Sequence, residues 1–247
     1  MRSLIIHFAI INIKIRFKGT YLGLLWTAIE PTLTFILLYI VFTSLRVRDD
    51  NFAIYLLTGI IIYHVFTRGT LAGLASLRGN RNIIKSLNIR NEIYPVMTTA
   101  ATALLVFVQV GVFFGLMPFF HFIPPWTVVL LPIVIALVLL LTLGFSYILS
   151  IINVYVRDVQ PLWTVIIHAV FFVTPIFWYL DNAQGILLEI HKFNPIGQII
   201  ELGHKIVVYG QIPPLADWLY TGLFVFAILI VGYALFQKYE SRIAEEL

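Results

Sequence analysis

Three ionisable side chains, Glu30, Arg68 and His168, stand inside long apolar runs. Charge in hydrocarbon is costly, so such groups line polar paths, relay protons or pair with one another. Glu30 is followed directly by Pro31, which lacks an N–H and weakens the helical ladder at that level. Two readings follow for Glu30: a polar spot beside a transport path, or a structural hydrogen bond at a kink near the headgroups. Arg68 can snorkel to the interface or pair with Glu30. His168 is either hydrogen-bonded to a neighbouring helix or a proton relay, and one relay residue without acidic partners makes a poor case for a proton-coupled pump.

Catalytic motifs are missing from the sequence. It has no G-x-x-x-x-G-K-[ST] phosphate loop, no H-E-x-x-H and no G-x-S-x-G. The six histidines (His7, His64, His121, His168, His191 and His204) do not fall at metal-ligand spacing, and no metal site is expected. The chain has no cysteine, which removes disulfides, thiolate metal sites and cysteine nucleophiles together.

The elements that position these residues follow from composition. Of 247 residues, 60% are hydrophobic and 11% charged, where a soluble domain carries about 25% charge. A span needs about 20 apolar residues, and six runs qualify: 19–45, 52–77, 93–117, 127–156, 160–180 and 218–237. Pro118, His121, Pro124 and Pro125 mark the turn between the third and fourth. The runs are longer than barrel strands and apolar on all sides, so helices are predicted, in one all-α integral membrane domain covering 1–247. With six spans the termini share a side. That side holds Arg2, Lys14, Arg16, Lys18, Arg78, Arg81, Lys85, Arg90, Arg157, Lys238 and Arg242; the other holds Arg46, Arg48, Lys192 and Lys205. The bias places both termini in the cytoplasm of a multi-pass membrane protein. The N-terminus does not read as a signal peptide, because His7 and Asn12 interrupt its apolar run.

Between the spans, three segments stand out. Residues 1–18 carry Ser3, His7, Lys14 and Lys18 on one helical face, the pattern of an amphipathic interfacial helix. The 181–217 connection has Ile196, Ile199, Ile200, Ile206 and Val207 at helical spacing. It is predicted to form short extracytoplasmic helices that are either re-entrant or resting on the protein's outer surface. The 78–92 connection mixes Arg78, Arg81, Lys85 and Arg90 with Ile83, Ile84, Leu87 and Ile89. That is a short amphipathic element suited to docking a cytoplasmic partner. The many aromatics read first as interfacial belts, and second as stacking surfaces for sugar rings.

The stretch from Ile13 to Trp26, Ile-Lys-Ile-Arg-Phe-Lys-Gly-Thr-Tyr-Leu-Gly-Leu-Leu-Trp, followed by Glu30-Pro31, resembles the opening of the type-2 ABC exporter permeases for O-antigen, capsule and teichoic-acid export. Residues 80–95 resemble the family's first cytoplasmic coupling loop. Asn153 to Val159 resembles its second, with Thr174-Pro175-Ile176 in the span beyond and Asn194-Pro195 opening an extracytoplasmic helical segment. The chain departs from the family pattern at Ile89-Arg90-Asn91-Glu92, where a Pro before the Arg-Glu pair is common, and at His204-Lys205, where an Arg is frequent.

The resemblance implies a homodimer in the cytoplasmic membrane with two copies of a cytoplasmic ABC ATPase. ATP and Mg would sit on that partner, with no cofactor in this chain and no catalysis by it. Coupling to the ATPase falls to Arg78, Arg81, Ile84, Lys85, Leu87, Arg90, Glu92, Arg157 and Asp158. The cargo implied is a polyprenyl-linked glycan, with Lys14, Arg16, Lys18, Tyr21 and Trp26 at its entrance and Glu30, Tyr39, Trp163, Phe171 and Phe172 along its path. Membrane lipid surrounds the chain, and nucleic acid is not expected. The alternatives are a drug or small-lipid permease, or a secondary transporter or channel. The latter predicts paired charges or an inverted repeat, and neither is read in the sequence.

Overall fold

How much of each helix its neighbours cover decides its place in this fold. The computed structural model describes residues 10, 11, 13, 19–44, 51–86 and 90–246, with side chains for all of these but 182, 241, 242 and 244–246. Among them are nine α-helices and no strand: α1 Trp26–Ser44, α2 Phe52–Gly79, α3 Arg81–Ser86, α4 Ile93–Leu116, α5 Leu131–Tyr155, α6 Val159–Val173, α7 Ile186–Lys192, α8 Pro195–Val207 and α9 Leu215–Glu246. The all-α expectation holds. With their flanking turns, α1, α2, α4, α5 and α9 are long and apolar enough to cross a membrane. Residues 10, 11 and 13 are helical, and the rest of the expected interfacial helix over 1–18 lies outside the described residues.

The run expected to span 160–180 is different. Its helix, α6, stops after 15 residues, about 22 Å at 1.5 Å per residue, short of the ~30 Å hydrocarbon core. The cause is Pro175, which excludes helical geometry from the residue before it; Thr174 is extended, with ψ 139°. The chain then continues beside α2. Trp163 Nε1 donates to Thr70 Oγ1 at 3.1 Å, Tyr63 Oη donates to the Ile167 carbonyl, and Tyr55 Oη donates to the Trp178 carbonyl at 2.9 Å. Thus α6 and the stretch after it cover the depth of α2 from Thr70 to Tyr55.

Helix α2 is the centre. It packs against α1, α4, α5, α6 and α8, and from Phe52 to Tyr63 every side chain is buried. A helix covered on all sides must be apolar on all sides, which is why α2 shows no polar stripe there. Without a hydrophobic force between helices in lipid, close approach supplies the attraction, and small residues permit it. Gly69 and Gly73 of α2 face Thr142 and Ser146 of α5. Both hydroxyls donate back to their own helix, to the Val138 and Thr142 carbonyls at 2.7 Å, so no unpaired polar group enters the contact. Gly144 of α5 approaches α9 so closely that a Cβ there would lie 3.0 Å from the Leu229 backbone.

Helix α8 does not rest on the outside. Ile196, Ile199, Ile200, Ile206 and Val207 are fully buried, and the helix packs among α2, α5 and α9. Its start is fixed by Asn194, whose side chain accepts from Gly197 N–H and donates to Thr174 Oγ1 at 2.9 Å, with Pro195 at the first helical position. Farther along, His204 Nε2 meets the Tyr55 carbonyl at 3.0 Å, and its ring stacks on Tyr55. In contrast α7 is exposed along its length apart from half-buried Leu187 and buried His191. At 32 residues α9 outruns the expected 218–237; its far end joins Phe236 and Ile243 to Leu77, Ile84, Tyr94 and Tyr147 in a second core at the Arg-rich end of the bundle.

Gly144→Val should lower stability by about 1–3 kcal/mol, because the contact is with backbone and no rotamer relieves it. Gly111→Val, where a Cβ would meet nothing within 4 Å, should leave the melting temperature near that of the parent. Thermal unfolding of the detergent-solubilised protein, followed by size-exclusion chromatography, checks both.

Candidate functional site

Pro31 has no N–H to give to the carbonyl four residues back, that of Thr27. A side chain from another helix supplies the missing donor: Gln109 Nε2 of α4 lies 3.3 Å from Thr27 O. The same Nε2 lies 2.8 Å from His64 Nδ1 of α2. Since Nδ1 accepts, this network assigns the ring proton to Nε2, which faces Glu30 Oε2 at 3.4 Å. Arg68, one turn along α2 on the same face, forms an ion pair with that oxygen. The pairing of Glu30 with Arg68 is therefore present, with His64 as a third member. Both charged side chains stay 40% exposed, so neither pays the full cost of burial.

These residues enclose a cavity of about 260 Å³ between α1, α2 and α4. Trp26, Glu30, His64, Arg68, Thr102 and Gln109 are in its wall. Gln109 is 4% exposed, and its Oε1 has no hydrogen-bond partner. Glu30, read either as beside a path or as structural, turns to the neighbouring helices, and Trp26 is half-exposed at the cavity. Gln109 and His64 escaped the sequence reading as partners. The available signals were the carbonyl freed by Pro31 and the amide of Gln109 in a run with no Lys, Arg, Asp or Glu from 93 to 156.

The remaining path residues separate. Tyr39 is half-buried against Phe35 and Phe120, with ring centroids 5.6 and 5.5 Å away. Trp163 packs on Phe145, and Phe171 on Tyr63. Phe172 is exposed, as are Leu162 and Val165 of α6 and Leu33, Leu37 and Ile40 of α1. Tyr21 is fully exposed. Among the described residues His168 is bonded to no neighbouring helix: its Nδ1 meets the Thr164 carbonyl of its own helix at 2.7 Å, and the ring is exposed. Lys14, Arg16, Lys18 and Leu87 lie outside the described residues.

At the Arg-rich end, Arg81, Lys85, Arg90, Arg157 and Asp158 are exposed. Ile84 is buried in the chain's own core, so α3 presents its basic heads and not this apolar side chain. Arg78 Nη2 donates to the Val154 carbonyl at 3.1 Å and ties the end of α2 to that of α5. Glu92 is the hub of the loop. It pairs with Arg90 at 3.0 Å and accepts from Gln237 Nε2 at 2.7 Å and Tyr233 Oη at 3.2 Å. Glu240 accepts from Asn91 N–H at 2.9 Å. Asn91 and Glu92, just before α4, are thereby tied to α9.

The described residues thus form a bundle of apolar helices with basic residues gathered at one end. Residues 7–208 match the ABC-2 type transporter family. The chain belongs to that family. The transporter chain is 24% identical over 258 residues to the O-antigen export system permease protein RfbA of Myxococcus xanthus, covering all of this chain and 96% of that protein. It is 26% identical to the protein of the same name from Klebsiella pneumoniae, covering 96% of this chain and 92% of that one. To the polysialic acid transport protein KpsM of Escherichia coli it is 22% identical, covering 93% and 91%. The ABC-2 transporter chain is thus a multi-pass membrane protein of the permease kind, in a family that works with an ATPase partner.

Glu30→Arg and Arg68→Glu should each destabilise the ABC-2 transporter chain by about 1–3 kcal/mol, the cost of leaving a polar group unpaired. The double exchange should recover most of the loss. Melting temperatures of the four proteins check this; a double variant no better than the singles contradicts the pairing.

Proposed function

We propose that this chain is the membrane subunit of an ATP-driven exporter that moves a lipid-linked polysaccharide, of the O-antigen, capsule or teichoic-acid kind, across the cytoplasmic membrane. The observation that carries the reading is the end-to-end likeness to O-antigen and polysialic acid export proteins. Two copies of the chain assemble with two copies of a separate ATPase, which holds ATP and Mg. The chain crosses the membrane six times, the fifth crossing being α6 with the extended stretch to Trp178, and α8 enters from the far side as a re-entrant helix. The Arg-rich end is cytoplasmic, and both termini lie there.

The exposed apolar faces of α1 and α6 support the dimer, since Leu37 and Val165 are two-thirds exposed on helices that a second copy can cover. The glycan passes between these faces, with Lys14, Arg16 and Lys18 meeting a diphosphate headgroup at the entrance. Arg81, Lys85 and Arg90, with Arg157 and Asp158 of the neighbouring loop, form the docking surface for the ATPase. Glu92 passes movement of that surface to α9 through Tyr233 and Gln237. Helix α1 is the part that yields, because its outward face packs on none of the described residues.

Replacing Arg81 and Lys85 together by Glu should cost about 2 kcal/mol of ATPase affinity, roughly thirtyfold, while the melting temperature stays put because both side chains are exposed. Co-purification with the ATPase measures it. Undiminished recovery of the complex contradicts this docking surface, and normal surface glycan in cells lacking the gene contradicts the cargo.

A further inference from the structure

The cavity between α1, α2 and α4 has a chemistry of its own. Its wall pairs one carboxylate with one guanidinium, Glu30 with Arg68, so its net charge is zero. A free anion entering would meet Glu30 beside Arg68 and a free cation Arg68 beside Glu30, so neither sign of charge gains a net attraction. The wall also offers acceptor oxygens besides the carboxylate. Gln109 Oε1 is buried without a partner. Thr27 and Thr102 have already spent their hydroxyl protons on the Leu24 and Thr98 carbonyls, at 2.6 and 3.0 Å, which leaves their oxygens as acceptors.

A ligand for this wall must therefore bring several donors without carrying charge. A phosphate is poor in donors, and an alkyl chain would leave Gln109 Oε1 unsatisfied at a cost. A sugar ring meets both conditions through its hydroxyls. The half-exposed indole of Trp26 adds a flat apolar surface for the C–H face of such a ring. The size agrees: about 260 Å³ is the space of roughly nine liquid waters. That is below the ~300–1,000 Å³ of drug-sized sites, and suits one six-membered ring rather than a chain of them.

We infer that this cavity is a recognition site for a single neutral pyranose unit, stacked on Trp26 and hydrogen-bonded by Gln109, Glu30 and Arg68. It rests on the reading of the chain as a glycan exporter and adds to it a specificity site within one chain, separate from the exposed faces of α1 and α6. Pro31 sets it up, because the carbonyl it frees on Thr27 draws in Gln109 Nε2 and holds that amide in the cavity wall. A cargo whose proximal sugar cannot offer hydroxyls to Gln109 is discriminated against there.

The test is saturation-transfer NMR on the assembled transporter in nanodiscs, with the methyl pyranosides of glucose, galactose, mannose and N-acetylglucosamine as probes. At least one should receive saturation, and its affinity should fall about tenfold in Gln109→Leu, the loss of one buried hydrogen bond. Trp26→Ala, at a half-exposed position, should reduce the transfer as well and keeps the test decisive if Gln109→Leu folds poorly. No transfer to any pyranoside, or equal transfer in parent and variants, overturns the site. Displacement by inorganic pyrophosphate or by ethanolamine gives the cavity to a charged group and overturns it too. Surface glycan in cells lacking the gene is scored separately, so the site and the export reading can fail independently.

Discussion

A carboxylate in the first membrane helix has to be answered by something, and in this chain the answer organises one side of the fold. Glu30 meets Arg68 and His64, which lie one turn apart on α2, and the next residue, Pro31, frees a carbonyl that Gln109 of α4 takes up. One carboxyl–proline pair thus joins three helices at a single depth. That depth is about 18–24 Å along α2 from Phe52, at 1.5 Å per residue, near the middle of the helix and on the side of the Arg-rich end. The cavity beside the pair follows from the same constraint, since polar side chains held for one another cannot also fill the space between them.

The rest of the molecule is built in the opposite way. Helices α2, α5, α8 and α9 are joined by close contact through glycine and small hydroxyl residues, and by apolar side chains buried to completion. Such contacts have one good arrangement and resist sliding. Helix α1 is held by a few discrete ties: the polar cluster at one end, and Phe35, Tyr39 and Phe42 packing on Phe120, Phe52 and Phe177 toward the other. A helix so attached to a tightly packed block can be displaced at little cost while the block keeps its shape. On the proposed reading, force from an ATPase reaches the block through the Glu92 clamp and finds α1 as the element that gives way.

Much of this was legible in the sequence because membrane helices announce themselves by apolar length. The starts of α2 and α4 fall where the charge-free runs begin, and Glu30 and Arg68 each stood out as costly alone, with pairing one of two readings open to Arg68. Hydropathy counts residue types and not backbone geometry, so it ran the fifth segment through Thr174-Pro175, where the helix must end. It also stopped α9 at Gln237, where charge returns, though nothing between Lys238 and Glu246 breaks a helix. The burial of α8 and of Ile84 depends on neighbours far away in the chain. Gln109 was unreadable as a partner for the same reason: its role exists only once α4 lies beside the carbonyl that Pro31 exposes.

The central claim is mechanical: α1 moves against a block that stays whole. The chain contains no cysteine, so spin labels can be placed singly at exposed positions without removing anything. Leu37 of α1, Val129 at the head of α5 and Leu223 of α9 all face outward. The decisive measurement is the electron–electron distance for Leu37–Leu223 and for Val129–Leu223, in complexes with one labelled copy, without nucleotide and with ATP trapped. The account predicts that the Leu37–Leu223 distance changes on ATP trapping while Val129–Leu223 does not. A block distance that shifts as much as the α1 distance, or an α1 distance that never shifts, would contradict it.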